Sequence, residues 1–140
     1  MKRTITMLLV VAIATVTSCR TIGVRREKGG YAMVSSPIAN EMVLDHRQVV
    51  VIDFQTPERF TSETGHIAGA ISVPLQSIES MLPELIAYAN NTILVYGSDK
   101  AEGVSGARIL VAAGFKNVIL IDGGIDEWRR RGFKTVSSGG

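Results

Sequence analysis

Thiols are nearly absent from this chain. Its 140 residues contain one cysteine, Cys19, which excludes an intramolecular disulfide. Histidine is almost as scarce. His46 and His66 lie far apart with no cysteine beside either, so neither a metal site nor a cofactor is expected. Long apolar runs are missing too: Ile5 to Val16 falls well short of the roughly 20 residues that cross a bilayer. Nor is there excess charge in the body of the chain. Setting Lys2 and Arg3 aside from the 15 Lys and Arg leaves 13, against 13 Asp and Glu. That balance gives no electrostatic footprint for nucleic acid, and no such partner is expected. What is present, 46% hydrophobic and 20% charged residues, suits one globular domain of ordinary size.

The first 18 residues read as an address. Lys2 and Arg3 form a positive start, an apolar stretch follows, and Thr17 and Ser18 are small and polar. This is the pattern of a secretory signal. A buried helix and a retained signal anchor are the alternatives. "Val16-Thr17-Ser18-Cys19" resembles the bacterial lipobox, with Val16 in place of the commoner Leu. The resemblance implies that Cys19 carries lipid and becomes the new N-terminus. It would anchor the protein in the cell envelope, where a protein partner is conceivable. Arg20 stands where inner-membrane members often carry Asp, which hints at the outer membrane and a periplasm-facing domain. The competing reading is a plain secretory signal that leaves a free thiol. Residues 19–30 are expected to form a lipidated cysteine and a basic, flexible tether, with Arg20, Arg25, Arg26 and Lys28 against Glu27. Such a tether favours an anionic membrane surface or is simply solvated.

A domain is expected over 31–140. "VVVID" (49–53), "ISVPL" (71–75), "ILVY" (93–96) and "VILI" (118–121) are β-branched and nearly continuous, as parallel strands covered on both faces are. "YAMV" (31–34) adds a short edge strand. Between them, Ser36-Pro37 opens a helix to about Leu44, and Thr56-Pro57-Glu58 opens a short one. Pro83 is expected to break the helix of 77–89 or to begin a second. Residues 103–114 and 125–132 supply the last two helices, with Trp128 inward and Arg129, Arg130 and Arg131 mostly outward. Alternation of strand and helix implies an α/β fold with a parallel sheet, and a site beyond the carboxyl ends of its strands.

"VVVIDFQTPERF…GHIAGAISVPL" and "ILVYG…ARILVAAGFKNVILIDGGIDEW" resemble the two halves of a rhodanese domain, over about residues 31–134. The resemblance implies a three-layer fold: a mainly parallel five-stranded sheet flanked by helices. It also implies sulfane-sulfur transfer through a cysteine persulfide, the cysteine following the strand's aromatic residue in a loop of backbone N–H donors. Here the loop is Gly97, Ser98, Asp99, Lys100, Ala101, Glu102 and Gly103. Tyr96 is the aromatic residue, but Gly97 holds the cysteine's place and Ser98 that of the first arginine. Glu102 falls where a later arginine belongs, Gly103 replaces a small hydroxyl residue, and Gln55 replaces an arginine after the Asp53 strand.

Asp99-Lys100-Ala101-Glu102 has the D-x-x-E form of a helix cap, so the loop's donors are expected to be partly satisfied internally. The expected loop is vestigial, with no catalytic residue. Asp53, Gln55, Tyr96, Gly97 and Gly123 are the candidate ligand-pocket residues, and Cys19 the lipidation site. Gly123 is expected at positive φ. His66 is expected to fix a turn rather than react.

The leading expectation is therefore a membrane-anchored module that binds or scaffolds. The alternative is a sulfurtransferase with an unconventional or partner-supplied thiol. A related phosphatase would also need the loop cysteine. Cys19 itself, once lipidated, holds its sulfur as a thioether and cannot carry a persulfide.

Overall fold

The structure is a computed structural model that describes residues 23–45 and 49–137. Residues 1–18, Cys19 and His46 lie outside them.

In chain order the elements are β1 (Arg25–Arg26), β2 (Ala32–Val34), α1 (Ser36–Leu44), β3 (Val49–Asp53), α2 (Pro57–Thr61) and β4 (Ile71–Ser72). Then follow α3 (Ile78–Leu85), β5 (Thr92–Tyr96), α4 (Lys100–Ala112), β6 (Asn117–Ile121) and α5 (Gly124–Arg130). Short 3₁₀ turns at Leu75–Ser77 and Ile86–Tyr88 flank α3. Among the described residues, six strands form one sheet in the order β1-β2-β6-β5-β3-β4. Every pairing is parallel except β1 with β2, where Arg25 faces Met33 and Arg26 faces Ala32.

Period-2 alternation builds the two flanking layers. In β5, Ile93 and Val95 point to one face, where they meet Ile78 and Leu85 of α3 and Ala107 and Leu110 of α4. Leu94 and Tyr96 point to the other, against Ala39 of α1 and Ile125 and Trp128 of α5. The central strands are thus buried on both sides, which is why their sequences are apolar without interruption.

Three expectations are corrected. The sheet has a sixth strand, and it lies inside the segment read as a tether: Arg25–Arg26 pairs on the outer edge of β2, so "YAMV" is not itself the edge. Two arginines suit an edge strand, because exposed charge discourages pairing with another chain. "ISVPL" supplies only two regular strand residues, since Pro74 has no N–H to donate and the chain turns into 3₁₀ at Leu75. Pro83 neither breaks nor starts a helix. It sits inside α3, which runs on to Leu85 and tightens into 3₁₀ at Ile86.

Gly106 of α4 packs closely on Phe54, the residue after β3. A Cβ there would stand 2.3 Å from Cε2 of Phe54, a ring with no exposed surface. Alanine normally gains about 1 kcal/mol over glycine inside a helix, whereas overpacking a core costs about 1–3 kcal/mol. The Phe54 ring has no space to retreat into, so Gly106→Ala is expected to lower stability. A lower urea midpoint in equilibrium unfolding is the check.

Candidate functional site

Two polar assemblies organise the carboxyl ends of the strands. The first is buried. Asp53 and Tyr96 are partners in the β3–β5 register, and Gln55 follows Asp53 by two residues. Asp53, Gln55 and Tyr96 have no exposed surface. Gln55 donates from its backbone N to Asp53 Oδ1 (2.7 Å) and from Nε2 to Asp53 Oδ2 (2.9 Å) and to the Gly65 carbonyl (3.1 Å). The Tyr96 hydroxyl hydrogen-bonds the Asp53 carboxylate and accepts from Ile67 N at 2.9 Å.

Burial raises the Asp53 pKa above 3.8, and hydrogen bonds from Tyr96 and Gln55 offset only part of that rise. The Tyr96 hydroxyl is pushed strongly upward, first by burial and then by the Asp53 charge. Beside this group the His66 ring stacks on Phe60, with centroids 3.6 Å apart. Its Nδ1 lies 2.9 Å from the Phe60 carbonyl, which only accepts, so Nδ1 carries the proton. The His66 backbone pairs with Val136 in both directions. His66 fixes a turn, as its sequence context suggests.

The second assembly is the loop after β5. Asp99 is extended (φ −131°, ψ −176°) and its Oδ1 accepts from Glu102 N at 3.0 Å, capping α4. Glu102 turns back so that its Oε2 accepts from Ser98 N at 2.5 Å. This is a capping box closed one residue early, on the residue before the cap. The loop's carbonyls are engaged as well. Gly97 O accepts from Ile125 N (2.9 Å) and Ser98 O from Asp126 N (3.3 Å), the first turn of α5. That approach requires glycine at 124, where a Cβ would lie 2.5 Å from Gly97 O. Gly123 sits at φ +81°, in the left-handed region expected for it.

Gly97 is buried and its φ is not left-handed, so its backbone would accept a side chain. The obstacle is Glu102. A Cβ at position 97 would lie 2.8 Å from both Cβ and Oε2 of Glu102.

The structure divides the candidate pocket residues. Asp53, Gln55 and Tyr96 face inward with their polar atoms engaged, so they do not face a ligand. Gly123 does line a cleft of about 220 Å³, with Ser35, Ser36, Asp122, Glu127 and Arg131. Asp122 also pairs with Lys100 of the loop at 3.1 Å, and Glu127 pairs with Arg130 and Arg131. The Arg131 hydrogen bond holds the Glu127 carboxyl below its ordinary range.

Sequence reading missed Arg59. From α2 it donates to Gln55 Oε1 (3.2 Å) and Asp126 Oδ1 (2.9 Å), tying the buried group to α5. Its spacing of four from Gln55 was the available signal. Among the described residues no group of three or more His, Cys, Asp or Glu could hold a metal ion.

An α/β domain whose strand-to-helix loop closes on its own carboxylates is the class defined by these contacts. A family model for the rhodanese-like domain matches residues 38–131, and the chain belongs to that family. It is 30% identical over 95 residues to the thiosulfate sulfurtransferase GlpE of Pseudomonas putida, covering 66% of this chain and 83% of that protein. The uncharacterized protein slr1261 of Synechocystis is 32% identical over 91 residues, covering 64% of this chain and 48% of that one. Among solved structures, the Alr3790 protein from Anabaena is similar in fold. Its TM-score is 0.64 at 20% identity, covering 74% of this chain and 90% of that one.

Asp53→Asn tests the buried group. Asparagine offers one acceptor oxygen and adds donors where donors already converge, so the variant should lose about 1–3 kcal/mol in urea unfolding. Because the folded pKa is raised, Asp53 favours the folded state most below its unfolded value. That contribution is lost as pH rises through the folded value. The variant should lack this acid-side slope in stability measured from pH about 3.5 to 7.

Proposed function

We propose that this protein is an envelope lipoprotein, anchored through lipid on Cys19, whose rhodanese-like domain is catalytically silent and serves in binding or as a scaffold. The observation that carries the silent reading is the Glu102 carboxylate on Ser98 N, packed against the glycine that holds the cysteine's place. A persulfide needs a thiol, and residues 20–140 contain none. A substrate anion also needs unoccupied donors and a favourable field. Here an internal carboxylate occupies one donor and repels the anion. The lipobox-like Val16-Thr17-Ser18-Cys19 supports the anchor, and the closed loop shifts any binding role to surfaces around it.

The experiment is thiosulfate:cyanide sulfurtransfer by the full-length protein, expected at background. Turnover above background would overturn the silent reading and favour an unconventional or partner-supplied thiol. Gly97→Cys alone should stay inactive, because Glu102 opposes the new side chain in both space and charge. Adding Glu102→Arg should raise the reactivity of the thiol introduced at position 97 toward a maleimide by at least about tenfold, the effect of one pKa unit. Equal reactivity in the single and double variants would contradict the electrostatic account. Separately, Cys19→Ala should release the protein from the membrane fraction; retention would assign the anchor to the apolar segment before it.

A further inference from the structure

The antiparallel strand at Arg25–Arg26 sets how far the domain can stand from its anchor. We infer that the corner of the domain around Gly23, Arg25 and Ser35 lies nearest an anionic bilayer surface, with the amino ends of β5 and β6 turned away. This inference rests on the lipid anchor at Cys19.

The reasoning is one of lengths. With residues 20–30 free, the chain from Cys19 to Tyr31 could extend to about 42 Å. Pairing of Arg25 with Met33 and Arg26 with Ala32 ties the chain down much earlier. Gly23 is already seated: a Cβ there would overlap Cδ1 of Ile38 in α1. Only four steps then separate Cys19 from Gly23, at most about 14 Å. A domain of this size has a radius of gyration of about 13 Å and is about 35 Å across. A tether shorter than half that width keeps this corner nearer the surface than the far end of the domain.

The point of attachment decides which part touches. β1 runs antiparallel to β2, so Gly23 lies beside Ser35 at the carboxyl end of the sheet; Gly23, Arg25, Ser35 and Asp122 line one surface depression there. Arg25 is exposed at this corner beside Asp122, whose charge Lys100 meets at 3.1 Å. Arg26 lines a separate depression with Thr92 and Asn117, at the amino ends of β5 and β6, so the length of the tether rather than its charge sets the orientation. Basic residues near an anionic surface each contribute about 1 kcal/mol. The Arg25–Glu27 ion pair is exposed and offers little resistance to competition from lipid headgroups.

The test uses the full-length lipidated protein in vesicles of phosphatidylethanolamine and phosphatidylglycerol that carry a nitroxide on a fraction of the headgroups. A lipidated Cys19 has no free thiol, so one introduced cysteine gives one labelling site. Fluorophores are placed at Ser35→Cys, beside the attachment, and at Asn90→Cys, exposed before the amino end of β5. Quenching should be several-fold stronger at position 35 than at 90. A spacer of about fifteen Gly and Ser residues after Arg20 should bring the two toward equality. Equal quenching without the spacer, or stronger quenching at 90, would overturn the orientation while vesicle flotation shows the anchor intact. Failure to float with the vesicles would overturn the anchor and the orientation together. An undiminished difference with the spacer would overturn tether length as its cause.

Discussion

The carboxyl end of this domain is organised around one buried carboxylate. Asp53 ends β3 with no exposed surface, and a charge in that position is tolerable only if its lone pairs are used. Gln55 and Tyr96 use them, and each recruits further structure. Gln55 reaches the Gly65 carbonyl and receives Arg59; Tyr96 receives the backbone of Ile67. Through Arg59 and Asp126 the chain of contacts reaches α5. Three segments remote in sequence are thereby held at one end of the sheet. A half-satisfied network of this kind costs more than an apolar core, so its members stand or fall together.

The loop after β5 grows from that platform but is settled by different forces. Tyr96 fixes where the strand ends. Beyond it, Asp99 caps α4 and Glu102 folds back onto Ser98 N, while the loop's carbonyls rest on the first turn of α5. A helix N-terminus with outward donors is a natural anion site. In this chain an internal carboxylate already takes one of those donors. The loop is a structural junction between α4 and α5.

Much of this was legible in the sequence because it depends on local pattern. The central strands β3, β5 and β6 and the edge strand β4 were visible as β-branched runs, and the Asp99–Glu102 spacing announced the cap. Gly123 was recognisable as a left-handed residue. What escaped depends on partners distant in sequence. Arg25–Arg26 has no strand propensity; it pairs because β2 offers an open edge, and so it read as tether. Pro83 looked like a break because sequence shows the lost N–H but not the packing of α3 that compensates for it. Asp53, Gln55 and Tyr96 read as pocket residues because polar groups at strand ends often face ligands, and only the folded contacts show them facing one another. Arg59 gave no signal beyond its spacing, since its second partner lies 67 residues away.

The most direct measurement of the closed loop is the Ser98 amide resonance of the full-length protein during a thiosulfate titration, in the parent and in Glu102→Gln. The parent amide should stay unmoved by thiosulfate because Glu102 holds it, and the variant amide should shift. A saturable shift of Ser98 in the parent would contradict the account, since it would mean that the donor is open to an external anion.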